Sequence, residues 1–287
     1  MAHVTTPDAE ALLDQPIQCL DHGFVRLVDY MGSDESIVQA ARVSYGKGTK
    51  KVREDRGLIR YLLRHHHTSP FEMVEFKFHC KMPIFVARQW IRHRTANVNE
   101  YSLRYSKAIG EFYLPASEQI RFQSKDNRQG RSEDNVPPEL QQRVFDILKS
   151  SAEQAWAGYE EMADQDIARE LARIHLPVST YTEWYWKIDL SNLLHFLRLR
   201  MDNHAQYEIR VFAEAIAKIV QAVVPVTWEA FSDYSLNARQ FSSQEMAVLT
   251  NLLKTLPETP DWKQLAIDAG LSSFEADEFA EKIEKNT

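Results

Sequence analysis

The sequence predicts an α+β fold with a helical C-terminal extension, and three observations carry that prediction. Four stretches, near residues 24–30, 72–82, 111–114 and 179–187, have strand character and are separated by helical ones. The two clearest alternate apolar and polar side chains with a period of two. The last fifty or so residues carry paired helix-capping signals rather than low-complexity sequence.

In order along the chain, a polar leader gives way to Gly23-Phe-Val-Arg-Leu-Val-Asp-Tyr30, rich in β-formers and followed by a turn at Gly32. A helix through Ile37 and Ala41 follows. A second helix, Arg56 to His66, sets Ile59, Leu62 and Leu63 at helical spacing and stops before Pro70. In the next strand Val74, Phe76, Phe78, Cys80 and Met82 alternate with Glu75, Lys77, His79 and Lys81. Pro83, tolerated in a first helical turn, then opens a helix from Ile84 to His93. On it Gln89, Arg92 and His93 share one face and Phe85, Val86 and Trp90 the other.

Arg94 to Ser106 is polar and aperiodic. Glu111 to Pro115 is a short strand candidate, and Gln123 to Asn135 reads as a polar loop free to order over a ligand. Helices are expected at Pro138–Met162 and Asp166–Ile174. A strand through Thr180, Thr182, Trp184, Trp186 and Ile188 follows, its indoles assigned to the core together with Tyr185. Asp189 caps a helix striped with Leu190, Leu193, Leu194 and Leu197, and a further helix runs from His204 to Val223. Ser242-Ser-Gln-Glu245 and Ser272-Ser-Phe-Glu275 fit capping boxes, with a helix between them begun at Thr259-Pro260 and stopped by Gly270. The expected division is a main domain, 1–235, and an acidic helical extension, 236–287.

With 287 residues, 44% hydrophobic and 26% charged, the chain can bury one sizeable core. Two cysteines, Cys19 and Cys80, are too few for a disulfide framework and suit a reducing, cytoplasmic setting. No apolar run approaches a membrane span and no export signal is visible, so no membrane association is expected. A net charge of -7 argues against general nucleic-acid binding. The charge is uneven, however: four arginines against Glu100 lie between Arg88 and Arg104, while nine acidic residues oppose four lysines from Ser242 onward. A small phosphorylated ligand suits that basic island.

The informative segment is Gln89-Trp-Ile-Arg92-His93-Arg94-Thr-Ala-Asn-Val-Asn-Glu100-Tyr-Ser102-Leu-Arg104-Tyr-Ser106. Forked guanidinium donors suit a phosphate, and the neutral donors and acceptors beside them suit a base or sugar. The bland alternative is a solvated cationic face at a helix end. A non-enzymatic nucleotide- or RNA-binding module built on this segment is a further alternative, and salt-sensitive nucleic-acid binding would identify it. A metal site is not expected: three consecutive histidines, His65 to His67, diverge on a helix, and no H-E-x-x-H or C-x-x-C occurs. A dinucleotide-binding βαβ unit is disfavoured because no G-x-G-x-x-G follows a strand.

Arg92-His93-Arg94, seven intervening residues and Ser102, with Glu100 and Arg104 around it, resemble the signature of the flavin-dependent thymidylate synthases. Further blocks match in order: Gly23-Phe-Val-Arg-Leu-Val-Asp, Ala41-Arg-Val-Ser44, His67-Thr-Ser-Pro-Phe-Glu72, Pro83 to Trp90, Leu197-Arg-Leu-Arg200 and Asp202-Asn-His-Ala-Gln206. The resemblance implies a central, mainly antiparallel sheet flanked by helices, a flavin site that is not of the Rossmann type, and a homotetramer with active sites at subunit interfaces. It also implies reductive methylation of dUMP to dTMP, with methylene-tetrahydrofolate as carbon donor and FAD reduced by NADPH, and no protein nucleophile.

Carried over by resemblance, dUMP is held by Gln89, Trp90, Ile91, Arg92, Glu100, Tyr101, Ser102, Leu103, Arg104, Arg173 and Arg200. FAD is contacted by Ser69, Arg92, His93, Arg94 and Glu100, with Ser44, His67, Asp189, Leu190, Ser191 and His195 at further cofactor positions. Arg200 is the catalytic residue, polarising the uracil imide electrostatically. The chain departs from the family pattern at Asn97, Leu103, Asp189-Leu190-Ser191 and His195. For Asp189 a helix cap is the simpler role.

Overall fold

The computed structural model describes residues 4–43, 52–125, 130–257 and 259–284; Ser44 lies outside them. The described residues fall into two compact units, Met1–Asn237 and Ala238–Thr287. In the first, the strands in chain order are β1 (Pro16–Cys19), β2 (Gly23–Met31), β3 (Glu75–Pro83), β4 (Asn97–Glu100), β5 (Arg121–Gln123), β6 (Arg131–Asn135) and β7 (Tyr181–Asp189). Five of them form one sheet in the order β1-β2-β3-β7-β4, with every pairing antiparallel, while β5 and β6 make a separate hairpin. The fold is therefore mixed α and β around an antiparallel central sheet.

The period-two alternation of β3 and β7 is what builds the centre of that sheet. Val74, Phe76, Phe78, Cys80 and Met82 are fully buried on one face, and Trp184, Trp186 and Ile188 join them from β7 across the register pairs Phe78–Trp186 and Cys80–Trp184. Tyr185 departs from expectation. A strand turns successive side chains to opposite faces, so Tyr185 is exposed and stacks on His79 with ring centroids 4.9 Å apart. Gly23 is needed where β1 turns into β2: a Cβ there would stand 2.7 Å from the Cys19 carbonyl oxygen and 2.8 Å from that of Lys81.

The helices of this unit are α1 (Pro7–Glu10), α2 (Asp34–Arg42), α3 (Val52–Arg64), α4 (Ile84–Trp90), α5 (Pro138–Asp164), α6 (Arg169–Ala172), α7 (Leu190–Arg200), α8 (Tyr207–Val223) and α9 (Pro225–Phe231). Helices α4, α7 and α8 contribute Trp90, Phe196 and Phe212 to the core, where the Trp90 ring lies 5.1 Å from Phe196 and meets Trp184 edge-on at 5.4 Å. Four sequence expectations shift. Helix α4 stops at Trp90 rather than His93, because the His93 N–H turns back to the Trp90 carbonyl at 3.0 Å. The aperiodic stretch contains β4, whose four residues are all exposed and so carry no alternation. Residues 111–113 meet 179–181 through an isolated bridge rather than a full strand. Part of the stretch expected as a polar loop, Gln123 and Arg131–Asn135, belongs to the strands of the β5–β6 hairpin.

In the second unit, α10 (Ser243–Leu253), α11 (Trp262–Asp268) and α12 (Ser273–Glu284) follow the cap signals. Ser242 and Glu245 exchange both bonds of a capping box, as do Ser272 and Glu275, and Asp261 rather than Thr259 caps α11. No helix among the described residues is long and apolar enough to cross a membrane.

Candidate active site

Helix α4 and the strand β4 that follows it are both fastened to the segment leading into β7. The Ile84 and Phe85 N–H groups donate to the carbonyls of Thr180 and Val178, each at 2.9 Å. Thr182 Oγ1 donates to Glu100 Oε1 at 2.8 Å, and the Tyr101 N–H donates to the Glu183 carbonyl at 2.8 Å. The arginine-rich segment therefore leaves a rigid sheet edge at both ends. Arg92 and Arg94 are exposed and have no ion-pair partner among the described residues, as anion-binding guanidiniums require.

Asp189, at the end of β7, turns the chain into α7. Its Oδ1 accepts from the Asn192 N–H at 2.9 Å and its Oδ2 from Asn192 Nδ2 at 2.7 Å, so both carboxylate oxygens serve the cap. Thr95 Oγ1 donates to Asn192 Oδ1 at 2.8 Å, tying the arginine segment to the same helix start. Arg200 lies at the other end of α7. Its Nε donates to His93 Nε2 at 3.1 Å, leaving both terminal nitrogens of the guanidinium for a ligand.

His93 is packed edge-on against Phe196 at 4.9 Å and lies 5.8 Å from His195. Burial first, then the charge of Arg200 and His195, pushes its pKa down to about 4. At neutral pH the ring is uncharged and its Nε2 can accept the Arg200 hydrogen. Burial likewise lowers His195, aided by Arg198 and Arg200, and lowers Arg200 itself. This end of α7 thus concentrates positive charge around neutral imidazoles.

Gln89, Arg198, Leu199 and Arg200 face the Asp202–Gln206 turn across a cavity of 570 Å³. The Gln89 Oε1 is buried and has no hydrogen-bond partner. A lone buried acceptor costs about 1–3 kcal/mol, which a donor arriving on a ligand would relieve. Asp202, His204 and Gln206, which carry no site role by resemblance, line the cavity as well. Their signal was the turn itself, in which Asp202 Oδ1 accepts from the His204 N–H at 2.8 Å directly after Arg200.

The remaining residues fall into other groups. Ser102 closes a turn, its carbonyl accepting from Tyr105 at 3.1 Å, and Arg104 pairs with Glu170 at 3.3 Å on the surface. Tyr101 donates its hydroxyl to the Lys107 carbonyl at 3.0 Å, and Leu103 packs into a satellite cluster with Ala108, Tyr159 and Ala172. Arg173 is half-buried in the turn after α6. No hydrogen bond or ion pair among the described residues joins Ser102 or Arg104 to His93 or Arg200. Ile91 is exposed, whereas the Trp90 and Leu190 side chains are fully buried in the core, so only their backbone could face a ligand. The Leu190 N–H is itself donated to Val74. His67 and Ser69 are exposed after α3, and Ser191 is half-buried at the start of α7. Neither cysteine offers a nucleophile: burial pushes the Cys19 pKa up to about 12 and raises Cys80 well above the usual thiol value.

Comparison with known proteins places this geometry. Residues 26–226 match the family model described as thymidylate synthase complementing protein. The flavin-dependent thymidylate synthase of Rickettsia prowazekii is 56% identical over 263 residues, which cover 88% of this chain and 90% of that protein. That of Treponema denticola is 54% identical over 271 residues, covering 94% and 98%, so the match extends into the C-terminal unit. The crystal structure of a UMP/dUMP methylase, PolB from Streptomyces cacaoi, bound with 5-Br dUMP, superposes with a TM-score of 0.70 at 35% identity, covering 77% of this chain and 99% of that one. With the signature segment, the antiparallel sheet and the Arg200 cavity in place, the chain belongs to the thymidylate synthase complementing protein family, that of the flavin-dependent thymidylate synthases.

Proposed function

We propose that the protein methylates the uracil ring of dUMP to give dTMP, with FAD as the redox cofactor, methylene-tetrahydrofolate as the carbon donor and NADPH as the reductant. The observation that carries the reading is a cavity lined by both Arg200 and Gln89, whose buried side-chain oxygen has no hydrogen-bond partner among the described residues. A uracil offers both halves of what that pair lacks: its imide N–H can donate to Gln89, and its carbonyl oxygens can accept from Arg200.

The base is oriented by these two side chains, and the neutral His93 holds the Arg200 guanidinium edge-on through Nε. A fixed cation beside the uracil carbonyls favours negative charge on the ring, which is the activation the reaction needs, and no side-chain nucleophile is required. Arg92 and Arg94, without carboxylate partners among the described residues, suit phosphate groups of nucleotide or cofactor. Reduced flavin, when bound, supplies the hydride and assists methylene transfer. With an antiparallel sheet and no glycine-rich strand-to-helix turn, the flavin is held by side chains of the arginine segment and of α7, including Ser191 and His195, rather than by a dinucleotide-binding crevice.

Among the described residues no hydrogen bond or ion pair joins Ser102 or Arg104 to His93 or Arg200, and the site is taken as assembled from neighbouring subunits of a homotetramer. The catalytic part is taken as 1–235 and the acidic helices as an extension, 236–287.

Arg200→Ala tests the assignment. It is expected to keep the flavin absorbance of the purified enzyme while lowering kcat at least about a hundredfold, the usual cost of losing a charge-stabilising group. Normal turnover would remove Arg200 from the chemistry.

A further inference from the structure

A second cavity, of 540 Å³, shares its His204–Gln206 wall with the Arg200 cavity. Its other walls are the β5–β6 hairpin, through Arg121, Arg131 and Ser132, and the first turn of α8, through Tyr207 and Arg210. Arg131 and Arg210 both approach the Tyr207 ring, with their guanidinium carbons 5.7 and 6.0 Å from its centroid.

The three arginines differ in how their charge is met. Arg131 pairs with Glu208, a carboxylate buried to 1% exposure that also accepts from the Tyr113 hydroxyl at 3.1 Å. Arg210 faces Glu214 at 3.8 Å across an exposed pair, which compensates it weakly. Arg121 donates only to neutral acceptors: the Glu118 carbonyl at 2.7 Å, the Glu133 carbonyl at 3.0 Å and the Asn135 side-chain oxygen. Its guanidinium is held in place with its charge unmet among the described residues. Glu118 and Glu133 also line the chamber, so its field is local to Arg121 and Arg210 rather than uniformly positive. Ser132 Oγ, also in the wall, is buried without a hydrogen-bond partner. A guanidinium held in place in a chamber wall with its charge unmet is a receptor for an oxyanion.

We propose that this chamber is a subsite for a carboxylate or phosphate carried on the arm of a co-substrate whose reacting end enters the Arg200 cavity. The proposal rests on the reading that the enzyme uses a folate donor and a nicotinamide reductant. Both have such an arm: the glutamyl carboxylates of one, the phosphates of the other. The shared wall lets one extended molecule occupy both spaces.

Equilibrium titration of the flavin-loaded full chain with monoglutamyl tetrahydrofolate, triglutamyl tetrahydrofolate and NADP+ tests this and separates the sources. Arg121→Gln removes the unmet charge. Arg210 itself bonds to no residue of the hairpin among the described residues, so Arg210→Gln stays informative if the first variant loosens β5–β6. A preference for the triglutamyl form that both variants lose by about tenfold, about 1.4 kcal/mol, assigns the folate arm; a similar loss of NADP+ affinity assigns the reductant. Unchanged affinities in Arg210→Gln, a change confined to Arg121→Gln, or no binding of any probe to the wild type overturns the proposal. Formation of dTMP by the wild type is followed separately: its absence alongside the expected binding losses sinks the catalytic reading and leaves the subsite standing.

Discussion

On the proposed function, Gln89 is tuned for a ligand at the expense of the free protein. Its buried oxygen has no partner, so Gln89→Leu should leave the melting temperature equal or higher while raising the KM for dUMP about tenfold or more. A lowered melting temperature with unchanged KM would assign Gln89 to packing instead. His93 gives a pH signature. Its folded pKa, about 4, lies below the unfolded value near 6.5, so the unfolded chain binds the proton first. The stability associated with His93 is full above pH 6.5, falls as the pH drops and levels off near pH 4. Urea unfolding between pH 4 and 7 should show this slope in the wild type and a shallower one in His93→Gln, and equal slopes would refute the shift. These two residues also mark how far the sequence could be read. The Arg-His-Arg motif and its match to a known family single out the segment around His93, but the His93–Arg200 bond joins residues 107 positions apart, which no local pattern encodes.

Secondary-structure elements were legible where one face is buried and obscure where none is. β3 and β7 declare themselves because four and three alternate apolar residues are driven into a common core, whereas β4, exposed along its length, has nothing for periodicity to report. The extension of α4 to His93 failed for a related reason: the apolar residue after Trp90, Ile91, is exposed and draws no further turn into the core. Caps, by contrast, are local chemistry, and Asp189 was readable as one. Because both its oxygens serve Asn192, Asp189→Ala should cost about 0.5–2 kcal/mol in chemical denaturation. Asp189→Asn, which keeps one acceptor, should cost less. An Asp189→Ala variant as stable as the wild type would show that the cap is redundant with the packing of α7.

At the scale of the molecule, an antiparallel sheet buried on one face provides a stiff floor, and the polar groups that matter stand at the ends of elements rather than within them: Gln89 near the end of α4, Glu100 at the end of β4, Arg200 at the end of α7 and Gln206 ahead of α8. Residues at element ends are held by the core yet reach solvent, which suits binding. No bond among the described residues links Ser102 or Arg104 to Arg200, and a one-dimensional motif does not say how its parts are brought together. The account as a whole stands on one reaction. Purified protein stripped of flavin is incubated anaerobically with dUMP, methylene-tetrahydrofolate and NADPH, with and without added FAD, and dTMP is followed by chromatography. The account predicts dTMP only when FAD is restored; dTMP formed equally without flavin, or none formed by a chain that binds FAD and dUMP, would contradict it.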